Sequence, residues 1–401
     1  MKIFFITKGE DMESNSKFPI FFLINSLCEG GAERAMITLS KEFINNGHKV
    51  TILALTKNNF YSIPKGVEVY YLSKMNDNIS GFIKLLYIPY HAWRLRQYVK
   101  KNRVKLLQSY LFRANFVNLV SGLMGSKQII QVVNRSVVSR FFSEGLSGRI
   151  NFFLIRHLYP RADMIIHISK QMKLDFNQHL FSTKNEQVIY NPYDIKSLLN
   201  QADEPIDNFI FQSHKRYLIT VGRLIPLKRF TDVLEVLTRL DSDVEWILLG
   251  DGTEREHLEC SAERLNIRKR LHFLGQVKNP FKYIKQSDIF ISSSSVEGFP
   301  NVLLESMLSR TVVISSDCLS GPREILAPKS DPSKRLIEGM ELVEFGILYA
   351  VGDDVGLVEA IRKILASREL TYHYEEKAFN RANDFSVKVI ASKYRKVLDY
   401  E

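Results

Sequence analysis

Residues 18–56 read FPIFFLINSLCEGGAERAMITLSKEFINNGHKVTILALT, and their pattern decides the fold. The first nine, FPIFFLINS (18–26), are a continuous apolar run ending in small residues, as expected of a parallel strand buried on both faces. Gly30 and Gly31 follow, and apolar residues then recur at helical spacing from Ala32 to Asn46, where Gly47 closes the segment. HKVTILALT (48–56) is a second buried strand. A strand, a glycine pair, a helix and another strand form the repeating unit of a parallel sheet.

The same alternation continues outward. VEVYYL (67–72), VKLLQSYL (104–111), QIIQVV (128–133) and ADMIIHIS (162–169) read as strands, and residues 82–102 as an amphipathic helix. VIYNPYD (188–194) ends the set in a turn signal, and the polar QADEPIDN (201–208) reads as a linker. The pattern then restarts with strands KRYLITVGRL (215–224), VEWILLGDG (244–252), RLHFLGQV (270–277), DIFISSS (288–294) and TVVISSD (311–317), and with a helix at 231–240. Residues 375–398 read as one closing helix. The expected architecture is α/β, two doubly wound Rossmann-like domains facing across a cleft. Domain one spans 1–195, domain two 196–375, and a helix at 376–401 packs back toward the first domain. MKIFFIT (1–7) also resembles a strand; an edge strand and a leader both fit it.

A chain of 401 residues exceeds one compact core, and 45% hydrophobic with 25% charged residues is an ordinary globular composition. Three cysteines, Cys28, Cys260 and Cys318, lie far apart without a CxxC pair, which argues for a reducing compartment and against structural zinc. No apolar run reaches the ~20 residues of a membrane span, and the start is too acidic for a secretory signal. A cytoplasmic protein is expected. The net charge of +11 is uneven: residues 82–161 hold fourteen Lys and Arg against a single acid, Glu144. Such a field points to an anionic partner.

SSSSVEGFPNVLLES (292–306) places Glu297 and Glu305 eight residues apart around a Gly-Phe-Pro. Pro300 suits the first position of a helix. Glu297 then lies in the loop before that helix and Glu305 on its second turn, beside backbone N–H groups that bind phosphate. Paired carboxylates there suit the hydroxyls of a ribose or hexose. The plainer alternative makes Glu297 a partner of the helix dipole and Glu305 a surface acid. Arg223 ends a strand and Lys228 follows five residues later, a guanidinium and an ammonium suited to a diphosphate, although such loop cations are commonly just solvated. Gly30 and Gly31 allow a backbone to approach a phosphate, with simple helix entry as the alternative.

Together GGAER (30–34), VGRLIPLK (221–228), GDGTEREHLE (250–259), HFLGQV (272–277) and EGFPNVLLE (297–305) resemble, in order and spacing, the retaining glycosyltransferases of family 4. The resemblance spans about residues 19 to 400, and the chain also resembles the bacterial subset that extends lipid-linked oligosaccharides or surface polysaccharides, where GGAER is common. It implies the GT-B fold and a nucleotide-sugar donor, UDP-linked in the first instance. Arg223 and Lys228 would hold the donor diphosphate, Glu305 the ribose and Glu297 the transferred sugar. Backbone N–H groups near Gly30 and Gly31, and at Asn301, Val302 and Leu303, would cap the phosphates, and the main chain at Val277 would flank the base. The resemblance also implies metal-independent catalysis without a cofactor. Many relatives carry a histidine after the strand equivalent to 128–133; here the place reads VVNRSVV, with Asn134 and Arg135. Arg135 is a candidate for an acceptor pyrophosphate, or a solvated arginine.

KLLYIPYHAWRLRQYVKKNRVK (84–105) mixes aromatics with Arg94, Arg96, Lys100 and Lys101 and contains no acid. Such a helix can lie on an anionic membrane surface, and a core helix with a basic outer face is the alternative. A lipid-linked glycan acceptor and a peripheral place at the inner face of the cell membrane fit the first reading. No nucleic acid partner is expected, since no RNP, KH or zinc-finger pattern occurs. Two rivals remain at this point: a GT-B sugar-nucleotide epimerase, and a non-catalytic glycan- or membrane-binding module.

Overall fold

The computed structural model describes residues 17–28, 30–58, 61–75 and 81–399. The strand expected at 1–7 lies outside them. One sheet contains β1 (Ile20–Ile24), β2 (Val50–Ala54), β3 (Val67–Tyr71), β4 (Leu106–Tyr110), β5 (Ile129–Asn134), β6 (Met164–His167) and β7 (Glu186–Val188), in the order 3-2-1-4-5-6-7. The other contains β8 (Arg216–Val221), β9 (Val244–Leu249), β10 (Leu271–Gly275), β11 (Ile289–Ser292), β12 (Val312–Ser316), β13 (Met340–Val343) and β14 (Gly346–Tyr349), in the order 10-9-8-11-12-14-13. All pairings are parallel except β13 with β14. Central strands such as β2, β9 and β12 are buried at every position, which is why they read as unbroken apolar runs.

Both sheets reverse their winding next to their first strand. β1 lies between β2 and β4, and β8 between β9 and β11. Crevices outside the carboxyl ends of strands at such reversals are where open α/β sheets bind ligands. Here those ends carry Gly30 and Gly31 in one sheet, and Arg223 and the serine run in the other.

Several boundaries differ from the expectation. Residues 82–102 form two helices, Gly81–Leu86 and Ile88–Asn102, because Pro89 at the start of the second withholds an N–H and its ring crowds the preceding turn. The polar linker begins later than expected. Residues up to Ala202 belong to the helix Ile195–Ala202, whose Asp194 cap accepts the Ser197 N–H at 3.1 Å. Strands β7 and β13 are short and carry no clear apolar run, and β14, buried throughout within the apolar GILYAV (346–351), is not among the expected strands. The closing helix is two helices, Arg368–Ala382 and Val387–Leu398, separated by the turn-forming Asn383, Asp384 and Ser386.

Val387–Leu398 packs on the helix Gly31–Asn45. The departing and returning chains are bonded where they pass: Tyr193 N donates to Phe385 O at 3.0 Å and Val387 N to Tyr193 O at 2.8 Å. Further on, Glu324 accepts the N–H groups of Lys170 and Gln171 at 2.7 Å each and the Tyr190 hydroxyl at 3.1 Å. A carboxylate from the second sheet's layer thus caps a helix of the first.

On β6, His167 is fully buried with Nδ1 3.3 Å from the Asn134 amide nitrogen and Nε2 3.9 Å from Glu186. Burial, aided by the nearby Lys173 ammonium, pulls its pKa down to about 3. A depressed folded value means that the neutral ring stabilises the fold above the unfolded value near ~6.5 and that this contribution is lost as pH falls toward the folded one. The unfolding midpoint is therefore expected to drop between about pH 6.5 and pH 3, and His167→Gln to flatten that part of a pH series followed by circular dichroism. Parallel curves for the two proteins would contradict the assignment.

Candidate active site

From β11 the chain runs through residues 293–300 into the helix Asn301–Leu308. Pro300 takes the capping position just outside this helix, one place earlier than expected. Glu305 on the second turn is only 4% exposed, so it is not a surface acid. It faces the first sheet, where Arg34 on the helix Gly31–Asn45 forms an ion pair and hydrogen bond with its Oε1. The carboxylate holds the partly exposed Arg34 above the ordinary arginine range.

The N-terminus of the same helix meets the glycine pair. A Cβ built on Gly31 would stand 2.8 Å from Asn301 Nδ2, too close for any larger residue unless the amide moved. Asn301 Oδ1 accepts from Asn191 Nδ2 at 2.8 Å and from the Tyr193 hydroxyl at 2.6 Å. Leu303 spends its N–H on Pro300 O at 3.1 Å, so of the three expected backbone donors only those of Asn301 and Val302 stay clear of that turn bond.

The serine run ties this loop to the one after β8. Ser293 Oγ donates to Lys228 O at 2.6 Å, and Ser295 donates to Leu227 O through its N–H at 2.9 Å and its hydroxyl at 3.2 Å. Ser294 Oγ donates to Glu297 Oε1 at 2.6 Å, and Lys228 Nζ donates to the same oxygen at 2.5 Å. Lys228 retains two further N–H donors. The Arg223 side chain is exposed and makes no ion pair or hydrogen bond among the described residues. Val277, in the loop after β10, packs half-buried against the core.

Arg135 joins this cleft from the opposite wall, lining it with Arg223, Lys228 and Glu297. Its Nη2 donates to Gly31 O at 3.2 Å. Arg94, Arg96, Lys100 and Lys101 do not line this cleft; they lie on the helix Ile88–Asn102, beside exposed Tyr87, Tyr90 and Trp93. Sequence reasoning assigned no role to Arg34, Asn191, Tyr193 or the serines. Arg34 carried a legible signal, three residues after Gly31 at the carboxyl end of the first strand; Asn191 and Tyr193 were visible only as a turn.

The arrangement has two cations after one strand, a cleft that they line with Glu297, and, on the helix after that residue, a second carboxylate, Glu305, held by Arg34. Residues 29–197 match the model for glycosyltransferase family 4, and residues 202–381 that for glycosyl transferases group 1. The chain is 27% identical over 371 residues to the N-acetylgalactosamine-N,N'-diacetylbacillosaminyl-diphospho-undecaprenol 4-alpha-N-acetylgalactosaminyltransferase of Campylobacter jejuni, covering 92% of this chain and 96% of that protein. It is 27% identical to the lipopolysaccharide 1,6-galactosyltransferase of Escherichia coli, over 57% of this chain and 63% of that protein. Among solved structures, HepE of Anabaena in complex with UDP superposes with a TM-score of 0.73 at 19% identity, covering 96% of this chain and 99% of that one.

The Arg34–Glu305 pair predicts a stability effect. Removing one partner leaves the other charge poorly solvated, so Arg34→Ala should cost on the order of 2 kcal/mol, less than for a fully buried pair because Arg34 reaches solvent. Adding Glu305→Gln to that variant should recover part of the loss in denaturant titrations. Additive losses from the two changes would show that the pair is not coupled.

Proposed function

From the premise that the chain belongs to the family 4 glycosyltransferases of GT-B fold, we propose that it moves a hexose-type sugar from a nucleoside diphosphate, UDP first among them, to a lipid-linked glycan. The observation that carries this reading is that Arg223, Lys228 and Glu297 line one cleft beside a switch-point strand, with Lys228 bonded to Glu297 and buried Glu305 on the helix that follows. The transferase relatives favour transfer to an acceptor over epimerisation or mere binding. The UDP bound by HepE is the reason to begin with that nucleotide.

On this reading residues 196–375 hold the donor and residues 1–195 the acceptor, with 376–401 returning to the first domain. Arg223 and Lys228 take the diphosphate, helped by the N–H groups of Asn301 and Val302 and by the close backbone at Gly30 and Gly31. Glu305 accepts from the ribose hydroxyls once Arg34 gives way, and Glu297 from the sugar. Val277 borders the base. The anomeric carbon gains a bond to the acceptor oxygen on the face from which the diphosphate leaves, so configuration is retained. The acceptor proton passes to the departing phosphate oxygen. Fixed cations at that oxygen act where negative charge develops, and no metal is required.

Arg223→Ala and Glu305→Ala are each expected to lower kcat/KM for the sugar nucleotide by about 10²-fold or more. Excess EDTA should leave the wild-type rate unchanged. A variant within a few-fold of wild type would count against the assigned roles, and full loss of activity in EDTA against the metal-free step.

The second part of the proposal concerns the membrane. Tyr87, Tyr90 and Trp93 are 40%, 42% and 47% exposed and follow one another along one helix face, with ring centroids 6.1 and 6.5 Å apart. Its other face, with Ala92, Leu95 and Val99, is core. Aromatics among cations suit the headgroup layer of an anionic bilayer, which would bring the enzyme to its acceptor at the inner face of the cell membrane. Among the described residues no helix is long and apolar enough to cross a membrane. Neutralising Arg94, Arg96, Lys100 and Lys101 together should reduce co-sedimentation with anionic liposomes, most strongly at low salt. Equal sedimentation at every salt concentration would remove the membrane claim.

A further inference from the structure

Arg135 carries more charge than the donor site requires. It follows β5 directly, and its Nη1 is shut off from water without an acceptor among the described residues. Its described hydrogen bond, from Nη2 to Gly31 O, reaches a neutral group. None of the described ion pairs includes it. Burial holds its pKa below the ordinary arginine range, and the surrounding Tyr394, Tyr110 and Glu33 offset this only in part. A half-buried cation whose Nη1 is closed off from water and which joins none of the described ion pairs is costly to the fold, and such a group in a cleft marks a site whose ligand brings the anion.

The geometry of the cleft says which side that anion enters. Arg223 and Lys228 belong to the wall after β8, and Lys228 is already bonded to Glu297. Arg135 and Arg140 belong to the facing wall, where Arg140 at the mouth is held by Glu144 at 2.6 Å. A Cβ on Gly298 would stand 3.0 Å from Arg135 O, so the arginine's backbone abuts the residue after Glu297. Arg223 and Lys228 thus face a diphosphate from one wall of the cleft, and Arg135 faces the same space from the other.

We infer that Arg135, with Arg140 at the mouth, forms a second phosphate site that takes the diphosphate of the acceptor while the donor's is held across the cleft. The inference rests on the donor reading above. It has a consequence for substrate length. An acceptor diphosphate held beside Glu297 leaves room for only a sugar or two before the attacked hydroxyl. The enzyme then acts early on the lipid-linked glycan, soon after a reaction that joins a sugar phosphate to a lipid phosphate.

The test uses inorganic pyrophosphate as probe, titrated calorimetrically into the full-length protein with and without saturating UDP. With UDP bound, wild type should still take up one pyrophosphate. Arg135→Gln should weaken that pyrophosphate binding at least tenfold, by a clearly larger factor than any loss of UDP affinity that follows from releasing Gly31 O, and Arg140→Gln should weaken it less. Without ligand, Arg135→Gln should melt at the same temperature as wild type or higher, because a half-buried charge outside the described ion pairs has gone. Pyrophosphate binding that vanishes once UDP is present would assign the anion to the donor and overturn the proposal. So would equal binding by wild type and Arg135→Gln, or a melting point several degrees lower, the mark of a brace for Gly31. UDP that fails to bind wild type at all would instead sink the donor reading beneath it.

Discussion

Positive charge at the carboxyl ends of two facing sheets is the constraint around which this structure is arranged. Arg223 and Lys228 stand on one wall and Arg135 on the other, with Glu297 as the carboxylate among them. A fold does not hold cations together in a half-dry crevice for stability, since their mutual repulsion and lost hydration oppose folding. The parallel sheets supply the rigidity that permits it. Their central strands are buried throughout, and the loops bearing the cations are tied down by serine hydroxyls that donate to backbone carbonyls.

The cleft is also held together by contacts between the layers. Arg34 occupies Glu305, Asn191 and Tyr193 share Asn301, and Glu324 caps the helix that begins at Lys170. On the proposed reading the first two of these involve groups that a nucleotide uses. Ligand and protein then compete for the same carboxylate and the same helix end. The competition links donor binding to the spacing of the two walls, because a ribose that takes Glu305 must release Arg34.

The fold was legible because buried parallel strands write themselves as apolar runs, and β1, β2, β8, β9 and β12 were all readable in this way. β7 and β13 were not: they are three and four residues long and mix polar with apolar positions, whereas β14 sits in the apolar GILYAV and was legible there, though it is not among the expected strands. The break in the closing helix was written in Asn383, Asp384 and Ser386 but masked by helical spacing on either side. Glu297 and Lys228 were legible as charges, yet not as partners of each other, since the contact joins residues 69 apart. The burial of Glu305 was invisible for the same reason. Its partner, Arg34, lies 271 residues away on the other sheet's first helix.

The central claim is that the cleft grips a nucleoside diphosphate with Arg223 and Lys228 while Glu305 exchanges Arg34 for ribose hydroxyls. A crystal structure of the protein with UDP tests it most directly. The account predicts diphosphate oxygens within hydrogen-bond distance of Arg223 and Lys228, the ribose on Glu305, and Arg34 turned away from that carboxylate. A nucleotide bound elsewhere, with Arg34 still on Glu305 and Arg223 in bulk solvent, would contradict it.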